Sequence, residues 1–320
     1  MIREELVLKL LGYNDKPIEL TKDDLFFLNK TKMNGIIFDY LKDSNIKIEP
    51  QLLESLKELK KFNYIRNINL LKKAINIDFY LEENGIKRVW IKGIAEVFNN
   101  PSYLWYRKQF DIDILVDDPY KTKSLMMDYG FVYGAYDLHG NWVTTSEIEI
   151  DRLEKEGYEL FPLTKNITLG NLHTDVNKDT LILQRIFNEG DTFFTDVCID
   201  IHKELTFDLK PEWLMKDSFF PFMDEIDEIW YLLNKSFYEQ IKGHSLNLQS
   251  LVGVLKKIRN TKFTREEIVD RLDLIGFYNE EAVNTMFDLA LRTISESQLD
   301  EIVKTFITNF KNYKNYSVPS

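Results

Sequence analysis

Asp111 and Asp113 stand two residues apart in the run DIDILV, and a Lys-Gly step, Lys92 and Gly93, closes the earlier run RVWIKG. Residues two apart in a strand point the same way, so the two acids share a face with Leu115 while Ile112, Ile114 and Val116 fill the other. Carboxylates held that close repel each other. Solvent, a raised pKa or a cation relieves the repulsion, and a divalent metal engages both acids at once. In phosphoryl transfer, two Mg²⁺ ions held by such carboxylates clamp the attacking hydroxyl and the leaving oxygens of a nucleotide. That chemistry needs a third carboxylate on a neighbouring strand. Asp200, a lone acid between apolar residues in CIDIH, has the right setting.

Gly93 ends one strand and opens a short helix, where backbone N–H groups meet a phosphate with no side chain in the way. Lys92 and Arg107 add positive charge for a triphosphate, Arg107 through its bidentate fork. Each feature alone has a plainer reading. An Asp-x-Asp is most often a solvated strand face, a glycine most often a turn, and Lys92 and Arg107 ordinary surface charges. Glu149 and Asp151 in SEIEID compete with Asp200 as the third acid. The four histidines, His139, His173, His202 and His244, show no HxxxH or HxH spacing, so the pattern favours a hard cation on oxygen. His139 and His202 read as structural or exposed, and Tyr103, Trp105, Tyr106 and Phe110 as core or lid packing ahead of a base-stacking platform.

The elements that must position these residues alternate. A helix is expected over Thr21 to Leu41, with Thr21 as cap and Asp23 and Asp24 in the first turn. A longer one runs from Gln51 to Glu83 with Leu52, Leu56, Leu59, Phe62, Leu70 and Ala74 in its apolar stripe, and Asn84 and Gly85 supply the stop. Next come the strand ending at Gly93, a brief helix over Ile94 to Phe98, the strand DIDILV, a helix ending at Gly130 and the short strand FVYG. In TDVCIDIHKEL, Val197, Ile199 and Ile201 share one face while Cys198, Asp200 and His202 share the other. Between them, WVTTSEIEIDRL and NITLGNLHTDV read as strands and DTLILQRIF as a helix. After Pro211 the pattern is helical, with segments near 222–241, 246–259, 264–275, 279–293 and 296–312 and a frayed tail from Tyr313. The order makes an α+β or α/β protein: a small mixed sheet with flanking helices, a helical N-terminal segment (1–84), a core (85–209) and a C-terminal helical domain (210–320) closing one side of the cleft.

The 320 residues, 44% of them hydrophobic, suffice for a sizeable core and about two domains. The net charge of −11, with no dense basic stripe, argues against nucleic acid as a main partner. The one cysteine, Cys198, excludes an internal disulfide framework and a multi-cysteine zinc site, and fits a reducing compartment. The start MIREELVLKL carries charges where a signal peptide needs an apolar run, and no apolar stretch approaches the roughly 20 residues of a membrane span. A cytoplasmic protein is expected.

RVWIKGIAEVF, RKQFDIDILV, YGFV and VCIDIHKEL together resemble the bacterial family described as uncharacterised nucleotidyltransferases, a branch of the polymerase β-like superfamily. That family's pattern is a Lys-Gly after the first strand, an Arg four residues before an Asp-x-Asp strand, a Gly-aromatic after the next helix and a later acidic-x-His strand. These fall here on Lys92 and Gly93, Arg107, Asp111 and Asp113, Gly130 and Phe131, and Asp200 with His202. The resemblance covers Lys87 to Leu205 well and the helical remainder loosely. It implies a nucleotidyltransferase core that moves NMP from an NTP with Mg²⁺ or Mn²⁺. Asp111, Asp113 and Asp200 would be its catalytic and metal-binding acids, and Lys92, Gly93 and Arg107 its triphosphate-binding residues. Three positions depart from the wider pattern: Ile94 follows Gly93 where Gly or Ser is usual, Phe110 stands where Gly often precedes the first Asp, and Gly253 replaces a helix Asp. The expected acceptor is a hydroxyl or similar group on a small molecule, peptide or protein. Two rivals remain: a glycosyltransferase whose Asp-x-Asp holds a nucleotide-sugar diphosphate through a metal, and a family member that binds nucleotide or a partner without turnover.

Overall fold

The structure, a computed structural model, describes residues 4–41, 45–136, 141–170, 185–190, 192–206, 209, 212–243, 245–277 and 279–316. The chain forms two compact units, one built from the chain up to Lys57 together with the chain from Asp224 onward, the other from Glu58–Met223.

In the first unit, helix α1 (Glu4–Leu11) precedes β1 (Ile18–Leu20), which pairs in parallel with β2 (Ile46–Ile48). Thr21 caps a single 3₁₀ turn over Lys22–Asp24, and its N–H donates to Asp24 Oδ2 at 2.8 Å. The helix expected over Thr21 to Leu41 is broken, however, into α2 (Leu25–Lys30) and α3 (Ile37–Tyr40). The Thr31 hydroxyl donates back to the Phe27 carbonyl at 2.8 Å and Lys32 adopts φ +59, which turns the chain out of helical geometry. The remaining helices of this unit span Glu225–Ser236, Leu248–Asn260, Arg265–Leu274, Glu280–Leu291 and Glu296–Tyr316, close to the five expected. The first runs on into a π-turn over Phe237–Lys242, and the last carries regular helix past Tyr313, where fraying was expected.

Helix α4 (Pro50–Glu83) reaches from the first unit into the second and stops where Asn84 and Gly85 predict. Gly85 takes φ +69, its N–H donates to Glu82 O at 2.9 Å, and the Ile86 N–H donates to Leu81 O at 3.0 Å. These are the paired bonds of a Schellman C-cap, which satisfy two end carbonyls and need a left-handed residue.

The second unit carries the sheet. Its order is β3 (Arg88–Ile91), β4 (Asp111–Val116), β10 (Thr192–His202), β8 (Leu163–Gly170) and β5 (Val132–Tyr133), with β9 (Ile186–Glu189) also on β10. β3 is antiparallel to β4, β10 is parallel to β4, and β8 is antiparallel to β10. A further short hairpin joins β6 (Ala135–Tyr136) and β7 (Trp142–Val143). Between strands lie α5 (Lys92–Asn99), α6 (Tyr103–Tyr106), α7 (Pro119–Asp128) and α8 (Glu147–Glu156). The sheet's apolar face, with Trp90, Ile112, Ile114, Val116, Val197, Ile199 and Ile201, packs on Leu70, Ala74, Ile77 and Leu81 of α4. The even-numbered residues of β4 and the odd-numbered residues of β10 thus form the core, leaving the acids to the opposite face. The architecture is mixed α+β, consistent with a nucleotidyltransferase-like fold.

Two further assignments change. SEIEIDRL is helical: the Ser146 hydroxyl accepts from the Glu149 N–H at 3.3 Å and starts α8, so Glu149 and Asp151 do not sit on a strand. Ile186 and Phe187 extend as β9 instead of ending a helix; the rest of that run, Asp179 to Gln184, lies outside the described residues, as do the end of NITLGNLHTDV and His139, His173 and His244. Among the described residues no helix is long and apolar enough to cross a membrane.

One buried node ties α4 to β3. Asp78 accepts from Arg88 Nε at 2.6 Å, Arg88 Nη2 at 2.8 Å, Trp90 Nε1 at 2.7 Å and the Phe220 N–H at 2.8 Å. A carboxylate with four donors is satisfied even at full burial.

Candidate active site

The parallel register of β4 and β10 sets Asp200 opposite Asp113 and Cys198 opposite Asp111, so three acids from two stretches of chain meet on one face. On the other side of β4, Ile91 is opposite Asp113, which places Lys92 directly beyond the strand pair. Lys92 holds φ +57, a left-handed conformation that favours glycine, and its ammonium turns onto Asp113 Oδ1. His202 joins them: its Nε2 lies 3.2 Å from Lys92 Nζ, 3.3 Å from Asp113 Oδ1 and 3.5 Å from Glu159 Oε2.

Gly93 comes next, at the start of α5. A Cβ there would meet Gln109 Cδ and Oε1 at 2.9 Å and Arg107 Nε at 3.0 Å, so any larger residue would displace those two side chains from the helix start. Gln109 Nε2 donates to the Asp111 carbonyl at 2.9 Å. Arg107 is beside Gly93, with its Nη1 on Glu96 Oε2. The loop carrying it is tied to α4 by Asn67, whose Nδ2 donates to the carbonyls of Arg107 at 2.6 Å and Leu104 at 3.0 Å.

The aromatic residues of this loop pack against α4. Trp105 stacks on Tyr64 with centroids 4.0 Å apart, Lys60 lies over Tyr106 at 4.6 Å, and the Phe110 ring lies 4.1 Å from the Arg66 guanidinium carbon. Phe110 is engaged by that buried arginine, whose pKa burial pushes down to about 9.

Electrostatics separates the acids. Burial disfavours ionised Asp113, but the Lys92 charge and the His202 hydrogen bond outweigh it and hold the carboxyl well below the usual range. Asp200 goes the other way: burial, then the charges of Asp113 and Asp111, push it well above the carboxylate range. Burial and then the Lys92 charge lower His202, which leaves its imidazole neutral. Asp200 Oδ1 is buried and has no hydrogen-bond partner. Such an atom is costly unless something fills its lone pairs.

These observations fit a hard divalent cation. The donors are carboxylate oxygens on adjacent strands in register, one has an orphaned oxygen, and their mutual repulsion is what a cation relieves. Among the described residues no group of three or more His, Cys, Asp or Glu side chains is arranged to hold a metal ion as the side chains stand. Lys92 supplies the cation on Asp113 instead. Of the residues that sequence patterns single out, Asp111, Asp113, Asp200, Lys92, Gly93 and Arg107 gather around the β3, β4 and β10 strand ends, and Glu149 and Asp151 are on α8. Glu159, Gln109 and Glu96 also reach this cluster. Gln109 and Glu96 lie inside the quoted runs but have no alternation to mark them, and Glu159 is placed by an isolated bridge to His202.

The chain matches the family described as uncharacterised nucleotidyltransferase over residues 25–230, well over half its length. No curated protein and no solved structure matches it. The matched span contains the whole sheet and the acid cluster, and the chain belongs to this nucleotidyltransferase family.

Proposed function

We propose that the protein transfers NMP from an NTP to a hydroxyl or similar group on a small molecule, peptide or protein, with Mg²⁺ or Mn²⁺, in the cytoplasm. The observation that carries this reading is the register of Asp200 with Asp113 on parallel neighbouring strands, beside a glycine-opened helix start flanked by Lys92 and Arg107. Asp111, Asp113 and Asp200 would hold the metal, which supplies charge stabilisation for the attacking and leaving oxygens. Lys92 and Arg107 orient the triphosphate, with its phosphates over the N–H groups at Gly93. The acceptor oxygen attacks the α-phosphorus as the bond to the bridging oxygen of pyrophosphate breaks. Asp200, ionised once the metal is bound beside it, takes the acceptor proton. The acidic overall balance of −11 favours a compact acceptor over a long nucleic acid.

The test is thermal unfolding with Mg²⁺ or Mn²⁺ against ATP, GTP, CTP, UTP and UDP-sugars, for wild type and the Asp111→Asn/Asp113→Asn variant. A ligand bound to the folded state raises its apparent stability by mass action. A metal-dependent shift with an NTP, lost in the variant, and pyrophosphate release with an acceptor support the proposal. A shift with UDP-sugars alone points to glycosyl transfer, and an NTP shift without pyrophosphate release under a panel of acceptors to a binding protein.

A further inference from the structure

We propose that Lys92 is a resident counterion that a divalent metal must displace: without nucleotide its ammonium occupies Asp113, and metal binding releases it to the triphosphate. This rests on the nucleotidyl-transfer reading above.

Three features converge. The Lys92 ammonium sits on Oδ1 of Asp113, one of the carboxylates that would hold a metal, and His202 closes the same corner at 3.2 Å from Nζ. The contact is enclosed, with Lys92 13% and Asp113 4% exposed, so water does not screen it. The backbone of Lys92 is held at φ +57, which directs a side chain at the strand–helix junction onto the acid face. An ammonium and a divalent ion on one carboxylate oxygen repel strongly in such an enclosed site, so they exchange instead of sharing it. Once released, Lys92 is tethered one residue from Gly93 and the helix start, where phosphates would lie. The second phosphate-side cation is held in the same way, Arg107 by Glu96. Metal and triphosphate therefore bind with positive coupling, and by linkage each strengthens the other to the same degree.

The first measurement is Mn²⁺ affinity without nucleotide, by electron paramagnetic resonance, for wild type and Lys92→Met. The expected result is at least tenfold tighter Mn²⁺ binding to the variant, an unusual gain from deleting a site residue. The second uses wild type alone: acylation of Lys92, quantified by peptide mass spectrometry, should rise on saturation with Mn²⁺ and fall again when inorganic tripolyphosphate is added. If Lys92→Met does not fold, this labelling decides. Mn²⁺ that binds wild type yet leaves Lys92 labelling unchanged, or binds the folded variant no tighter, overturns the exchange and leaves nucleotidyl transfer standing. Failure of Mn²⁺ to bind either protein removes both.

Discussion

Replacing Asp78 by Leu should be among the most destabilising single changes in the second unit, and a second mutation should partly reverse it. The carboxylate and the Arg88 guanidinium are both fully buried and joined at 2.6 and 2.8 Å. Removing one partner of a buried pair strands the other, at about 3–5 kcal/mol. The Trp90 Nε1–H and the Phe220 N–H lose their acceptor as well, at roughly 1–3 kcal/mol each. Some relief remains for Arg88, since Nη1 still donates to Ile86 O at 3.2 Å and Glu82 Oε2 lies 3.5 Å from Nη2. The single variant should therefore lose on the order of 5 kcal/mol, or ~10–20 °C for a unit of this size. Asp78→Leu/Arg88→Met leaves no stranded charge and only the two orphaned N–H groups, so it should lose their combined cost alone, roughly 2–6 kcal/mol, and less than the single variant. Urea titrations of wild type, single and double variants, followed by far-UV circular dichroism, give the comparison. A double variant no more stable than the single would refute the reasoning, because charge stranding would then not be the dominant cost.

Asp200 and Cys198 give further tests. The folded pKa of Asp200 is raised, so folding favours its protonated form, and that contribution is present at low pH and lost as pH rises through the raised value. Asp200→Asn cannot ionise, so in EDTA-treated protein it should raise Tm above wild type at pH 8, with the gain shrinking toward pH 4; a lower Tm at pH 8 would count against the burial argument. The Cys198 thiol is pushed up to about 12 by burial, so at pH 8 iodoacetamide should add no mass to the native protein and one adduct after unfolding; alkylation of the native state would contradict this.

Much of the fold was legible because particular runs carry one unambiguous period. Val197, Ile199 and Ile201 alternate with Cys198, Asp200 and His202, and β10 buries the first three in the core. Asn84 and Gly85 end α4 by a geometry that needs a left-handed residue, so the stop could be read from residue type. SEIEID was ambiguous because a short acidic–apolar alternation fits a strand face and also the first turns of a helix. The decisive contact, Ser146 to the Glu149 N–H, is local chemistry that the alternation masks. The break after Lys30 was hidden for a similar reason, since Thr31 and Lys32 are compatible with helix until the surrounding chain selects otherwise. Asp111, Asp113 and Asp200 could be picked by type and setting. Their differing electrostatics could not, because they depend on the β4–β10 register and on Lys92 entering from β3.

The parallel pairing of β4 with β10 also bears on biosynthesis. β10 lies between β4 and β8, so the sheet cannot close until a strand that comes after α7, β5, α8 and β8 in the chain has been made. Pairings of such long sequence separation form slowly, after the entropy of closing the intervening loop has been met. A nascent chain that has emerged only as far as β8 offers Asp111 and Asp113 on an open sheet edge with no Asp200 opposite. The three-acid cluster is therefore completed only when β10 pairs, and a ribosome-stalled or truncated product lacking β10 would carry Asp111 and Asp113 without their third partner.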